Sequence, residues 1–121
     1  MKSKEDVKAL FDATAYDSEG ERLGSVKEVY VHDATLRPIF AEVGHGLFGL
    51  SSSVVPLRGA RLEGDRLTLG FTRESIKGAP DPDTGQQLTK TQQRELLSYF
   101  GVDDAPEITG LQGSYDDERA S

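Results

Sequence analysis

The 121-residue chain contains no cysteine and no tryptophan, and its hydrophobic residues never form a long uninterrupted run. Without cysteine, neither a disulfide nor a thiolate metal site can form. No segment approaches the ~20 apolar residues that a membrane-spanning helix needs. Lysines and acidic residues interrupt positions 1–20, so these positions lack the apolar core of a secretory signal peptide. We therefore expect a cytoplasmic protein with no membrane insertion and, from its length, a single folded domain.

Basic residues are also scarce, since 14 Lys and Arg stand against 21 Asp and Glu and the net charge is −7. Most of this excess lies at the end of the chain, because residues 103–121 carry a net charge of −5 and residues 1–102 only −2. Proteins that contact nucleic acid directly usually present a basic face to its phosphates. The charge pattern argues against direct nucleic-acid binding. It predicts a domain over residues 1–102 followed by an acidic, flexible tail.

Short segments with alternating apolar residues, separated by turn residues, occupy the middle of the chain. They predict strands at Ala13–Tyr16, Leu23–His32, Ile39–Val43 and Val54–Leu57, and a hairpin whose apolar positions are Leu62, Leu67, Leu69 and Phe71. In the second strand, Val26 and Val29 can share a face only if one extra residue is inserted. We therefore expect a β-bulge near Lys27 and Glu28. Pro56 should restrict its strand to a sheet edge or mark the end of the strand.

Two helices should flank these strands. Apolar residues at helical spacing within Val7–Phe11 predict a short N-terminal helix. A longer C-terminal helix should start after Thr89, which can form a capping box with Gln92, and stop at Gly101. The expected core comprises Val26, Val29, Val31, Ile39, Ala41, Val43, Val55, Leu67, Leu69 and Phe71, covered by Leu96, Leu97 and Phe100.

The order and spacing of these elements resemble the PRC-barrel family. The resemblance is carried by the acidic turn Asp17–Gly20, by the strand segments Leu23–Val26, Val29–Asp33, Ile39–Val43 and Val54–Leu57, by Ala79-Pro80 and by a closing helix that ends Leu97–Gly101. It implies a mainly β protein, a small bent antiparallel β-barrel with a short N-terminal and a C-terminal helix. The closing helix is similar to that of stand-alone bacterial members.

The resemblance also implies a non-enzymatic interaction module that self-associates or docks on a protein complex. Relatives include the cytoplasmic domain of the photosynthetic reaction-centre H subunit and a domain of a ribosome-maturation factor. We expect no counterpart of the H subunit's membrane helix or of the ribosome factor's preceding domain, and therefore neither of their specific roles. An accessory role in ribosome maturation through a ribosomal protein stays open as an alternative. An edge strand at Val54–Leu57 makes a homodimer another possibility.

The segment Gly44–Gly49 matches the pattern G-x-G-x-x-G of dinucleotide-binding proteins. That fingerprint requires a helix after the last glycine to hold the pyrophosphate, whereas the following residues indicate a loop and a strand. We therefore predict no cofactor and expect residues 44–52 to form a loop. Its apolar residues Leu47, Phe48 and Leu50 are a candidate interaction site. The alternative is that Phe48 folds back and caps the barrel.

The remaining polar residues form no recognised catalytic or metal-binding pattern. His32 and His45 could serve as metal ligands, but neither lies in a ligand-spacing motif, so both are interpreted as surface or turn histidines. Ser51–Ser53 lacks the G-x-S-x-G arrangement of a nucleophile elbow and suggests a flexible polar loop. Glu28 and Glu42 could in principle form a carboxylate pair for acid–base chemistry. We predict no catalytic residue, and a small-ligand or metal-binding protein is the third hypothesis.

Overall fold

The structure is a computed structural model that describes residues 2–32, 37–46, 50–80 and 88–102, with side chains from residue 6 onward. The predicted acidic tail, residues 103–121, lies outside these ranges. The elements within them are α1 (Lys2–Phe11), β1 (Thr14–Tyr16), β2 (Arg22–Val31), β3 (Pro38–His45), β4 (Ser51–Pro56), β5 (Arg61–Glu63), β6 (Arg66–Thr68), α2 (Arg73–Lys77) and α3 (Lys90–Phe100). The prediction of a mainly β fold with helices at both ends is confirmed.

The six described strands form one sheet in the order β4-β3-β2-β1-β6-β5. β2 joins two halves of this sheet, because its first residues pair with β1 and its later residues pair with β3, both antiparallel. β1 and β6 run parallel, with Ala15 opposite Leu67. The sheet is therefore mixed rather than wholly antiparallel. Among the described strands it stays open, with β4 and β5 at its edges.

A β-bulge interrupts β2 at the predicted position. Val26 lies opposite Val43 and Glu28 lies opposite Glu42, so Lys27 is the extra residue of β2. An inserted residue bends its strand and increases the local twist. The bulge lies in β2, which pairs with both halves of the sheet, so it helps to rotate one half relative to the other.

β3 is buried on both of its faces. Successive side chains of a strand point in opposite directions, and the neighbours Phe40 and Ala41 are both buried. Ala41 and Val43 belong to the main core, which also contains Leu67 and Leu69. Phe40 belongs to a second cluster, which forms where α3 covers the sheet. The buried members of this second cluster are Ile39, Phe40, Val54 and Leu96.

Most of the predicted core residues are buried, but the sequence pattern missed part of the core. Val29, Val31 and Phe71 are only partly buried. The buried apolar residues that the predicted core did not include are Leu10, Ala13, Ala15, Leu23, Phe40, Val54, Leu57, Ala60, Leu62 and Ile76. Several of them lie in helices, turns or very short strands, where alternation gives little signal.

Local sequence signals predicted the boundaries of α3 but did not predict α2. The capping box of Thr89 and Gln92 starts α3, and Gly101 ends it with a left-handed φ of 74°. The helix α2 was not predicted, because the hairpin strand was expected to continue to Phe71. β6 instead ends at Thr68, and the Thr72 side chain accepts a hydrogen bond from the backbone N–H of Ser75 at the start of α2.

The carboxylate of Asp17 connects two parts of the chain that are distant in sequence. Asp17 is 1% exposed, and its Oδ1 accepts hydrogen bonds from the N–H groups of Glu19 (2.9 Å) and Glu21 (2.8 Å). Its Oδ2 accepts a bond from the N–H of Arg73, the first residue of α2, at 3.0 Å. Burial acts to raise the pKa of Asp17, but the backbone N–H groups of Glu21, Arg73, Glu19 and Gly20 outweigh it and lower the pKa.

The backbones of β2 and β3 approach each other closely at two glycines. A Cβ atom at Gly24 would lie 2.4 Å from the carbonyl oxygen of Gly44. No real Cβ contact is this short, so any larger residue at position 24 would push the two strands apart. Gly24 therefore permits a contact that the bent sheet requires.

We predict that Gly24→Ala destabilises the fold by about 1–3 kcal/mol or more, because the added methyl group collides with rigid backbone. Urea unfolding monitored by circular dichroism measures this loss. Ser25→Ala is the matched control, since Ser25 is the exposed neighbour in the same strand and its change should leave stability nearly unaltered. Equal stabilities for the Gly24 variant and the wild type would show that the strands separate at no cost.

We predict that Asp17→Asn lowers stability at neutral pH by about 1–3 kcal/mol, because the amide group would set a donor against a backbone N–H. The wild type should also lose stability in acid. The pKa of Asp17 is lower in the folded chain than in the unfolded chain, so its contribution is complete above the unfolded pKa and is lost as the pH falls through the folded value.

Unfolding free energies measured between about pH 6 and about pH 2 test this dependence. The acid-induced loss should be smaller in Asp17→Asn than in the wild type. Asp65→Asn, at an exposed aspartate in the turn between β5 and β6, is the control and should keep the wild-type slope. If the unfolding free energy depends on pH in the same way in all three proteins, Asp17 does not cause the acid-induced loss of stability.

Candidate functional site

The end of the β3–β4 pair holds the side chains with the clearest functional potential. His45 ends β3 opposite Ser51, which starts β4, and Gly46 follows with a left-handed φ of 79°. Leu50 is 82% exposed, the most exposed large apolar side chain that the described ranges contain. Of the predicted interaction loop, Leu47 and Phe48 lie outside the described residues. The role of the loop stays a prediction.

The glycine pattern at this end begins within β3 and is followed by β4. Gly44 lies within β3, and β4 begins at Ser51, two residues after Gly49. A strand therefore follows the pattern, where the pyrophosphate fingerprint needs the N-terminus of a helix. The expectation of a long loop over residues 44–52 is also wrong at both ends, because the paired strands extend into it.

His45 is a buried residue, contrary to its interpretation as a surface or turn histidine. Its side chain is 5% exposed, and Nε2 lies 2.9 Å from Oγ of Ser53. Ser53 is itself buried within β4, so the expected flexible serine loop is a strand at this position. Nδ1 of His45 is buried and makes no hydrogen bond to any residue in the described ranges.

Burial and three cationic residues lower the pKa of this imidazole. Burial lowers the pKa of His45 most strongly, and the charges of Lys77, Arg73 and Lys27 lower it further. Lys27 is the bulge residue of β2, whereas Arg73 and Lys77 belong to α2, which packs against β4. The arrangement therefore favours the neutral form of the imidazole, whose Nδ1 makes no hydrogen bond within the described ranges.

The other polar candidates from the sequence within the described ranges are His32, Glu28 and Glu42. His32 is exposed at the end of β2, as expected. Glu28 and Glu42 lie opposite each other across β2 and β3. Oε2 of Glu42, however, accepts a hydrogen bond from Oγ of Ser52 (2.7 Å). Within the part of the chain that the structure describes, no three His, Asp or Glu side chains are grouped closely enough to hold a metal ion.

The burial of His45 could have been predicted from the alternation of residues in its strand. It shares a face with Ala41 and Val43, because residues two apart in a strand point the same way. Continuing the alternation past Val43 would have placed His45 in the interior. The cationic surroundings could not have been found in this way, since Lys27 and Lys77 are separated by 50 positions.

We predict that protonation of His45 destabilises the fold, because a charge would be added to a buried and already positive environment. The pKa of His45 is lower in the folded than in the unfolded chain, so stability is greatest above the unfolded value and falls as the pH drops through the folded value. Urea unfolding at intervals from about pH 8 to about pH 5 measures this decline.

The matched variants for this test are His45→Gln and His32→Gln. The first should flatten the stability profile in that pH range, and the second, at the exposed histidine, should keep the wild-type profile. If His45→Gln retains the full decline, another group is responsible for it.

Comparisons with known proteins place the chain in a family. None of the helices in the described ranges combines the length and apolar character needed to cross a bilayer. A comparison with curated proteins finds no match. The family model of the PRC-barrel domain matches residues 4–76, more than half of the chain. The matched range contains the six described strands, the Asp17 turn and most of α2. The chain therefore belongs to the PRC-barrel domain family, as its sequence motifs predicted.

Proposed function

We propose that this protein is a non-enzymatic interaction module that docks on a protein partner or self-associates through the end of the β3–β4 pair. The PRC-barrel domain is a non-catalytic binding fold that often serves as a protein-interaction module. Family membership thus supports a binding role and leaves the partner to be identified.

The observation that carries this proposal is the exposure of Leu50. This side chain is 82% exposed beside two strands whose pairing continues to Gly44–Ser52 and His45–Ser51. Removing a leucine from water on binding is favourable by roughly 1.5–3 kcal/mol. The paired strands already hold the neighbouring backbone in place, so less conformational entropy is lost when a partner covers the leucine.

Self-association has a possible route next to the same site. Among the described strands, β4 lies at an edge of the sheet. Edge strands carry backbone groups that can pair with a second copy across a two-fold axis. Pro56 has no N–H group, which limits such pairing to the segment Ser51–Val55. Leu50 directly precedes this segment, so a pairing of two β4 strands would bring two copies of Leu50 close to the interface.

We predict that Leu50→Ser weakens binding of the partner, or of a second copy, by roughly tenfold to a hundredfold. Affinity capture of the tagged protein from its own cells, with cross-linking and mass spectrometry, identifies the protein that contacts the β3–β4 end. Sedimentation velocity of the purified protein measures self-association. Cross-links from this end to one recovered protein, lost in the variant, are the expected result.

The control is Phe11→Ser, which removes an exposed apolar side chain from α1. It should leave capture and sedimentation unchanged, provided that both variants unfold like the wild type. Equal capture and equal sedimentation of wild type and Leu50→Ser would contradict a role of this surface in docking. Recovery of ribosomal proteins, with co-sedimentation on ribosomal subunits, would instead favour the ribosome-maturation alternative.

A further inference from the structure

We propose that a cavity beside β5 binds a small free α-amino acid, with Arg61 holding the carboxylate of the ligand and Glu63 holding its ammonium group. The cavity has a volume of about 310 Å³. Small-molecule sites typically measure about 300–1,000 Å³, so this cavity suits a small ligand. The lining residues that the structure describes belong to neither β3 nor β4. The site therefore goes beyond the proposed docking function.

The walls of the cavity come from parts of the chain that the sheet brings together. Ser18 follows β1, and its N–H donates to the carbonyl of Phe71 at 2.9 Å, beside the lining residue Gly70. Gly59 precedes β5, and a Cβ atom there would lie 3.8 Å from the Cα of Gly70. Since neither glycine carries a side chain, backbone alone forms this wall, and the space beside β5 stays open.

β5 presents two opposite charges to this cavity. Arg61 and Glu63 are two positions apart in the strand, so both project from the face opposite to the buried Leu62. Nη1 of Arg61 lies 4.0 Å from Oε2 of Glu63, and the two side chains are 63% and 65% exposed. Arg66 lies opposite Glu63 in β6, but its guanidinium carbon is 3.9 Å from the centre of the Tyr16 ring. The cavity therefore contains one loose, solvent-exposed ion pair.

Hydroxyl groups share the cavity with the guanidinium group. Thr68 is the direct cross-strand partner of Arg61, and both line the cavity together with Ser18. Directly opposed residues of antiparallel strands have Cβ atoms about 4.5–5.5 Å apart. A carboxylate that binds the guanidinium group of Arg61 can therefore also accept a hydrogen bond from a hydroxyl of Thr68 or Ser18.

A ligand with both charges fits this ion pair better than a ligand with one charge. An anion that is attracted by Arg61 is repelled by Glu63, and a cation meets the reverse situation. An α-amino acid carries its carboxylate and its ammonium group on the same carbon atom. Placed antiparallel to the ion pair, it adds two attractive contacts and leaves the contact between Arg61 and Glu63 intact. The arrangement thus selects a zwitterion over a simple anion or cation.

The experiment is an NMR titration of the backbone amides of the full chain with L-alanine, N-acetyl-L-alanine and L-alaninamide, at low and constant ionic strength. The three probes share one side chain, but acetylation removes the positive charge and amidation removes the negative charge. L-Alanine should cause saturable shifts at the lining glycines Gly59 and Gly70. Each blocked probe loses one exposed charge contact and should bind up to about fivefold more weakly.

Charge-neutral variants assign the two roles. Arg61→Gln should weaken binding of L-alanine, by up to about fivefold, and make its affinity equal to that of L-alaninamide. Glu63→Gln should weaken it similarly and make its affinity equal to that of N-acetyl-L-alanine. Both side chains are exposed, so both variants should unfold in urea like the wild type.

Two control variants should bind L-alanine like the wild type. Arg94→Gln removes an exposed arginine of α3, which is not among the residues that line this cavity. Leu50→Ser changes the proposed docking surface, so a failure of the docking proposal can be distinguished from a failure of this one.

Three outcomes would overturn the proposal. The shifts at Gly59 and Gly70 could grow linearly with L-alanine, which would indicate that no site is filled. The three probes could bind with equal affinity, which would exclude recognition of a zwitterion. Arg61→Gln and Glu63→Gln could bind L-alanine as tightly as Arg94→Gln does, which would place the ligand elsewhere.

Discussion

The buried carboxylate of Asp17 is the interaction on which the relative positions of the sheet and α2 depend. It binds the turn between β1 and β2 and also the first N–H group of α2, which lies 56 positions later. The N–H of Ser18 adds a second link to the carbonyl of Phe71, at 2.9 Å. Because α2 is only five residues long, it could not hold its place by its own helical bonds. Asp17 thereby positions Arg73 and Lys77 beside β4.

The bend of β2 allows the two halves of the sheet to enclose the main core. The inserted Lys27 changes the course of the strand, and Gly24 allows it to approach Gly44 at a distance that no side chain would permit. β2 can then pair with a strand in each half of the sheet. α3 covers the outer face at Phe40, so the central strand β3 is buried on both sides. In this geometry His45, at the end of β3, is buried, whereas the next residue, Gly46, is exposed.

Two residues at the end of the β3–β4 pair differ strongly in exposure. Leu50 is 82% exposed, whereas His45 is 5% exposed and its Nδ1 makes no hydrogen bond within the described ranges. An exposed apolar side chain can contribute to binding by leaving water, whereas a buried imidazole acts on stability through its protonation. Variants at the two positions therefore test two different properties of the protein.

The sequence by itself determined the features that depend on neighbouring residues. The bulge at Lys27, the capping box of Thr89 and the helix end at Gly101 follow from local strand alternation and local backbone hydrogen bonds. Only the tertiary structure decided that β1 pairs with β6 in parallel, that α2 forms, and that His45 lies among cations. Each of these depends on residues far apart in the chain, which meet only when the sheet bends. The alternation of polar and apolar residues predicts strands, but it does not specify which distant element will pack on them.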